Sequence, residues 1–453
     1  MTLDEVLARR VAVWGLGAEG SALLARARAR GVEPLLVDDH PERVDRDPGG
    51  PVGSRPVVRP DEVAWDGVDV VVRAPGVSRY RPELAAAEAA GVTVTTGMAI
   101  WLEDHVDAPV VAITGTKGKS TTAALLAAVL GADGVDVALI GNIGVPVLDT
   151  YGRPPAEAYV VEVSSYQAAD VTVSPRVAVL TSLAPDHLDW HGGVEAYFRD
   201  KLRLVDAGRP DGTGDLAVCA GNAEAVRRTA DHPRRTLYGP EGRVRVTDGG
   251  RVEVDGVPLV DAGRLRVPGR HNAWNLCGAV TGALLLTGRP PSADAVAAAV
   301  DGFAGLPSRC HPVGERDGRT YVDDALASNP FASAASVGTF AGRPLSVIVG
   351  GADRGVDPAP LVDALAAHWP AVAVVVLEPD ADRLVRALVA GGLPAGAVAT
   401  AADLDGAVDV ARDRTPVGGV VLFSPGAPTP DGGGGYRARS RRFAVAAGLA
   451  TPD

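Results

Sequence analysis

The stretch Pro109–Ala124, PVVAITGTKGKSTTAA, constrains this chain more than any other. Val110–Ile113 is a short, β-branched apolar run that reads as a buried strand. It breaks at Gly115 and Gly118 and enters an Ala/Leu-rich segment that reads as a helix, with Lys119 and Ser120 at its mouth. A helix N-terminus presents free N–H donors and partial positive charge, and glycines let backbone amides approach an anion closely. A lysine there adds a point charge on β/γ-phosphates, and a serine hydroxyl can join a Mg²⁺ shell. Gly115, Thr116, Lys117, Gly118, Lys119, Ser120 and Thr121 therefore read as a nucleoside-triphosphate loop. The pattern is G-x-x-G-K-S, shorter than G-x-x-x-x-G-K-[ST], which needs a glycine where Ile113 stands. An ordinary strand-to-helix turn is the competing reading, and the double lysine with its Ser-Thr-Thr run weighs against it.

Lysine usage adds an independent argument. Only Lys117, Lys119 and Lys201 occur; the rest of the Lys+Arg total of 44 is arginine. Arginine stays protonated, whereas a lysine can lose its proton and react as an amine. Two of three surviving lysines fall in one loop, which chance survival would not readily produce, and Lys201 is singled out on the same ground.

At 453 residues the chain calls for two or three domains. The start MTLDEV does not resemble a signal peptide, and no apolar run is long enough to span a bilayer, so a cytoplasmic protein is expected. Cys219, Cys277 and Cys310 are widely spaced, with no metal or disulfide pattern. The net charge of −12 argues against nucleic-acid binding through a basic surface, though a local cluster of donors can still hold an anionic substrate.

Taken in order, VAVWGLG at 11–17 reads as a strand running into a glycine turn, followed by a helix at Ser21–Arg30 and a strand at Pro34–Val37. Gly15, Gly17 and Gly20 give G-x-G-x-x-G, with Asp38-Asp39 about 20 residues further on, as in a dinucleotide fingerprint. A strand at Val68–Val72 ends in a turn containing Gly76. A nicotinamide or flavin cofactor, a nucleotide-sugar diphosphate and a purely structural turn all satisfy this pattern. The acidic stretch Glu103–Pro109 reads as a linker. Beyond the loop helix come strands at Val137–Ile140, Tyr159–Val163 and Val177–Leu180, alternating with helices and implying a mainly parallel sheet whose ligands gather at strand carboxyl ends. Gly239–Leu265 reads as a small antiparallel accessory sheet. A third α/β unit begins near Gly305, with strands at Tyr321–Asp324, Leu345–Val349, Val372–Leu377 and Val420–Phe423 and a Pro/Gly-rich loop at Pro428–Gly435.

Glu162 ends an apolar strand, where a Mg²⁺ ligand, a cap or an ion pair would each explain a carboxylate. His187 lies in DHLDWH and could join oxygen ligands on Mg²⁺ or Mn²⁺, or hold its own loop together. Asn272 and Asn275, three apart, share a helix face and could read a base edge, or serve as a cap and a solvated amide.

The order GTKGKSTT, GNIG, EVSSYQ, APDHLDWHGG, KLRL, GRHNAWN, GLPSR and GGADRG resembles the Mur ligases, ATP-dependent amide-bond ligases of peptidoglycan synthesis. The short phosphate loop is the form this family uses. The N-terminal region and EVSSYQ look most like the MurD-like members, which add glutamate to UDP-N-acetylmuramoyl-L-alanine. The resemblance implies three domains. Residues 1–107 form a Rossmann-like domain for the UDP substrate, 108–306 a central ATP-binding domain, and 307–453 a Rossmann-like domain for the amino acid. By the same resemblance Gly15, Gly17, Gly20, Asp38 and Gly76 hold the UDP part, and Asn142 contacts the muramoyl-alanine part. Lys119 and Ser120 hold ATP phosphate and Mg²⁺, with Glu162 as a further ligand. His187 and Lys201 serve a second metal site, Lys201 as a carbamate. Asn272 and Asn275 read adenine, while Arg309 and Asp324 approach the phosphate and ribose. A monomer is expected.

The departures cluster in the amino-acid site. DALASN at 324–329 has Leu326 where the MurD-like pattern has a lysine for D-glutamate, and Arg354 stands where a lysine is usual. Thr429-Pro430 and Tyr436 replace the usual Ser-Leu and Phe. Ser328, Arg354, Thr429, Tyr436 and Arg437 are the candidate acceptor residues, with Arg354 or Arg437 as the substitute cation. These changes resemble the ligases that add L-glutamate. A D-glutamate ligase with a remodelled pocket and a diverged nucleotide-binding paralogue stand as alternatives, and a nicotinamide oxidoreductase is a third.

Overall fold

Short valine-rich runs make most of the strands, because a strand covered by helices on both faces reads as nearly continuous hydrophobic sequence. The computed structural model describes residues 1–44, 50–143, 145–267, 269–352, 356–378, 381–430 and 435–450. It divides into two compact units, Met1–Arg264 with Ala273–Gly302, and Leu265–Asn272 with Phe303–Asp453.

The first unit holds two sheets. One is five-stranded and parallel, in the spatial order Val57–Val58, Leu35–Val37, Val11–Trp14, Val70–Arg73, Thr93–Thr95. The central pair runs Val11↔Val70 to Trp14↔Arg73 and is wholly buried. The other is nine-stranded. Seven of its strands run parallel, six of them in the order Arg235–Gly239, Asp215–Cys219, Val177–Leu180, Val110–Thr114, Ala158–Glu162, Val137–Gly141. The turn-rich region expected as a separate antiparallel sheet instead continues this one. Val244–Val246 pairs with Arg235–Gly239 through Tyr238↔Val244 and Gly239↔Arg245, and Arg251–Val254 and Val257–Asp261 follow antiparallel. The outermost strand carries Pro258, and its neighbour has a register shift at Val252/Glu253, two features that blunt a sheet edge.

One hydrophobic cluster runs through both sheets of this unit. It joins Leu3, Val13, Leu23, Ile100 and Trp101 to Val110, Ala112, Ile140, Val161 and Leu204. Part of the stretch expected as a linker is helical for the same reason: Thr96 caps the helix Gly97–Asp104, accepting from the Ala99 N–H at 3.2 Å, and residues 97–102 are buried. Only the residues after Asp104 connect. The helix expected at Ser21–Arg30 begins earlier, at Ala18, directly after the glycine turn.

In the second unit the antiparallel pair His311–Arg316 and Arg319–Asp323 leads into parallel strands ordered Val420–Phe423, Leu345–Val349, Val372–Leu377, Val398–Ala401. Cores lie on both faces, one around Val347 and Val374, the other around Ile348, Phe423 and Phe443. No helix of the described residues is long and apolar enough to cross a membrane.

Candidate active site

The phosphate loop joins the fully buried strand Val110–Thr114 to the helix Lys119–Ala132. Gly115 (φ +145°) and Gly118 (φ +89°) are both needed: a Cβ would lie 2.0 Å from Thr181 Oγ1 at the first and 2.5 Å from Asn275 Oδ1 at the second. The segment after strand Val177–Leu180 clamps the loop. Thr181 Oγ1 donates to Lys117 O (2.5 Å), Lys117 N donates to Ser182 Oγ (2.9 Å), and Thr116 N donates to Ser182 O (2.8 Å). The cradle is thus shaped by the protein's own hydrogen bonds. Lys119 Nζ folds back on Gly115 O (2.8 Å) and Thr116 O (3.2 Å), and Lys117 Nζ lies 3.4 Å from Asp186. Thr121 is half-buried in the first turn of the helix.

Glu162, at the carboxyl end of the neighbouring strand, is fully buried. Ser120 Oγ donates to its Oε2 (2.5 Å) and Asn142 Nδ2 to its Oε1 (2.7 Å). Asn142 is therefore at the phosphate end of the site, tied to the metal candidate. A buried carboxylate with two neutral donors and no ion pair among the described residues is poorly compensated without a cation. Ser120 and Glu162 are the sparse oxygen set that suits Mg²⁺, which keeps waters and takes substrate phosphates as its other ligands. No group of three His, Cys, Asp or Glu among the described residues could hold a metal by itself.

Lys201 enters from the helix Val194–Asp206. It is 1% exposed, its Nζ donates to the same Gly115 O (3.0 Å), and it sits 5.1 Å from the Tyr197 ring centre. Desolvation first, then Lys119, pushes its pKa well below the ordinary lysine range against the opposing pull of Asp186. His187 caps a short helix in the left-handed conformation (φ +51°), with its ring 4.9 Å from that of Tyr166. Its pKa is lowered by desolvation and by the lysines, so the ring is neutral at pH 7 and able to ligate. No hydrogen bond among the described residues joins His187 to Lys201.

The dinucleotide turn forms as read. Gly15 (φ +91°) donates its N–H to Val37 O (2.9 Å), and Leu16 N donates to Asp38 Oδ2 (3.1 Å), so Asp38 braces the turn. Gly17 caps the helix Ala18–Ala29, and a Cβ on Gly20 would lie 2.1 Å from Gly15 O. Gly76 has open space around it.

Sequence reasoning missed a network linking residues 73–81 to the DHLDWH segment. Arg73 is buried, pairs with Asp170, and donates to Val77 O and Tyr166 O. Trp190 Nε1 donates to Pro75 O (3.1 Å), and Ser78 Oγ donates to Trp190 O (2.6 Å). His191, buried, bridges Asp200 (2.7 Å) and Ser165 (3.0 Å), while Tyr80 OH donates to Asp200 (2.9 Å). The available signal was Asp200, an acidic residue placed on an apolar helix face directly before Lys201.

In the second unit Asp324 is buried and accepts from Cys310 N (3.0 Å), Ser336 Oγ (2.6 Å) and Ser424 Oγ (2.7 Å). Desolvation raises its pKa to about 6. It holds loops together, which places any effect on a nucleotide at one remove. Arg309 lies between the left-handed Ser308 and Cys310. Ser328, Thr429 and Tyr436 are half-buried, Arg437 is exposed, and Arg354 lies outside the described residues. The helix Arg270–Thr287 crosses the division, with Asn272 in the second unit and Asn275 in the first; Asn275 Oδ1 accepts from Thr122 Oγ1 (3.3 Å) beside the phosphate loop.

A clamped glycine loop, a serine–carboxylate pair and a buried lysine converge at the carboxyl end of the central sheet, and residues 113–283 match the family model of the Mur ligase middle domain. The chain belongs to the Mur ligases, ATP-dependent enzymes that join a carboxylic acid to an amino acid as an amide. Two curated relatives cover nearly all of it. One from a Micromonospora species is 41% identical over 98% of both chains, and one from Xanthomonas axonopodis pv. citri is 38% identical over 99% of this chain and 97% of its own. Both are named UDP-N-acetylmuramoyl-L-alanine--L-glutamate ligase. Among solved structures, UDP-N-acetylmuramate-alanine ligase MurC from Thermotoga maritima matches with a TM-score of 0.59 at 19% identity, covering 96% of this chain and 98% of that one. MurF ligase from Thermotoga maritima in complex with ADP matches at 0.56 and 17%, covering 98% and 97%. At such identities the likeness is one of fold.

Proposed function

We propose that this ligase adds L-glutamate to UDP-N-acetylmuramoyl-L-alanine in the cytoplasm, as a monomer, with ATP converted to ADP and phosphate. The observation that carries this reading is the likeness, over nearly the whole chain, to relatives named for that reaction. Leu326, in place of the lysine expected for D-glutamate, favours the L enantiomer over a remodelled D-glutamate site. Residues 1–107 would take the UDP substrate through Gly15, Gly17, Gly20, Asp38 and Gly76. Residues 108–306 would take ATP, and 307–453 the amino acid, with Ser328, Thr429 and Tyr436 nearby.

The alanine carboxylate oxygen attacks the γ-phosphorus and ADP leaves; the glutamate amine then attacks the acyl carbon, loses a proton and expels phosphate. Both steps bring anions together, which demands fixed positive charge. The loop amides from Gly115 to Ser120 and the Lys119 ammonium, freed from Gly115 O, would supply it. Ser120 and Glu162 would hold Mg²⁺, and Asn142 keeps the Glu162 carboxylate in place. The metal supplies charge neutralisation at the phosphates when bound. Lys201 and His187 would serve a second ion, Lys201 after its amine has added to carbon dioxide with release of a proton. Burial that disfavours the ammonium leaves the free amine which that addition consumes. Asn272, Asn275 and Arg309 would border the nucleoside, with Asp324 acting on it only through the loops that it holds.

The test incubates the protein with ATP, Mg²⁺ and UDP-N-acetylmuramoyl-L-alanine plus either glutamate enantiomer, following phosphate release and product mass. Product with L-glutamate alone is expected. Product with D-glutamate alone reverses the stereochemical assignment, and no glutamate-dependent phosphate with either overturns the reading.

A further inference from the structure

A dicarboxylic amino acid needs a cation to receive it. Arg437 is exposed and turns its Nε to its neighbour, Tyr436 OH, at 3.3 Å, while Arg354 lies outside the described residues. Helical spacing points to another. In the helix Gly435–Ala446, Tyr436, Arg439, Ser440 and Phe443 follow the three-to-four repeat of an inward face, and Ser440 and Phe443 are buried. The Arg439 guanidinium lies 5.2 Å from the Phe423 ring centre, and its Nη2 donates to Gly350 O at 2.7 Å. Its Nη1 is buried and has no hydrogen-bond partner among the described residues. Asp323, the anion whose field reaches it, already accepts from Ser440 Oγ (2.5 Å) and Ala325 N (3.0 Å).

Phe423, Gly350 and Asp323 lie at or just beyond the carboxyl ends of three adjacent parallel strands, the edge where α/β sheets receive ligands. A desolvated guanidinium N–H without an acceptor is costly to a fold unless a ligand completes it. We propose that Arg439 is the specificity-determining cation of the acceptor site, its unpartnered Nη1 donating to one carboxylate of the incoming amino acid in place of the lysine absent at Leu326. This rests on the ligase reading above.

Steady-state kinetics on Arg439→Met and Arg439→Lys test it, with L-glutamate and its two monoamides, L-glutamine and L-isoglutamine, as acceptors. The wild-type enzyme is expected to disfavour the monoamide that lacks the contacted carboxylate. Arg439→Met should raise KM for L-glutamate by roughly thirtyfold or more and erase that preference, with KM for ATP unchanged. Arg439→Lys should keep part of the preference, which a purely structural loss would not do. A Met variant that turns over and still prefers glutamate by the wild-type ratio overturns the proposal alone. Loss of turnover in Met together with full wild-type preference in Lys and unchanged glutamate KM overturns it as well. Absence of glutamate-dependent phosphate release in the wild type overturns the ligase reading and this proposal together.

Discussion

A lysine buried to 1% exposure beside a second lysine is a poor way to donate one hydrogen bond, since Gly115 O already receives Lys119. Lys201→Met should therefore raise thermal stability, by roughly 1–4 kcal/mol if it follows other buried charges replaced by apolar side chains, while abolishing turnover. The sign of the pH dependence follows from the depressed pKa. Between the folded value and the unfolded value near 10.5 the unfolded chain binds the extra proton, so this lysine's penalty fades as pH rises through that window. The stability advantage of Lys201→Met over wild type should accordingly be largest at low pH and shrink toward pH 10; denaturant melts at several pH values measure it. Lys201→Arg keeps the charge and loses the reactive amine, so a fall in turnover of roughly 10²-fold or more is expected. Wild-type-like turnover in that variant would remove the carbamate from the mechanism.

Between residue and fold, the phosphate loop is an element whose shape depends on two positive φ angles and close backbone approach. Gly118→Ala places a Cβ 2.5 Å from Asn275 Oδ1 at φ +89°. It should cost about 1–3 kcal/mol of strain and abolish ADP binding by calorimetry, with both sheets of the first unit still folded by circular dichroism. Unaltered ADP affinity would show that the loop reshapes freely. This element was legible in the sequence, as were the strands Val177–Leu180, Leu345–Val349, Val372–Leu377 and Val420–Phe423, because a central strand writes its burial into consecutive residues. What stayed illegible depends on partners distant in the chain. Asn142 meets Glu162 only because their strands are neighbours, Arg73 meets Asp170 across two sheets, and Arg439 differs from Arg437 only in which side of a helix it occupies. The helix at Gly97–Asp104 was hidden by its acidic end, which ends in the stretch read as a linker.

Over the whole molecule, the two N-terminal sheets share one hydrophobic cluster while the second unit has its own cores. The first two sheets should then unfold together. Calorimetry is expected to show two transitions rather than three, with the UDP substrate and ADP both raising the same one, and a fragment of residues 1–107 should fail to fold because a large part of that cluster, from Val110 to Leu204, is missing. Three separate transitions would show that the shared cluster does not bind the sheets cooperatively.

The three lysines also decide how this protein meets reagents that attack amines. On most surfaces such reagents find scattered lysines and do little harm. Here Lys117, with two-fifths of its side chain exposed, and the half-buried Lys119 lie in one loop, and the buried Lys201 shares the Gly115 carbonyl with Lys119. Apart from the chain's own amino group, every primary amine lies in the nucleotide loop or touches it. Acylation, cross-linking or the attachment of a tag through lysine would therefore fall on the glycine loop proposed to hold the nucleotide, and a nucleotide bound there would shield nearly every such position at once.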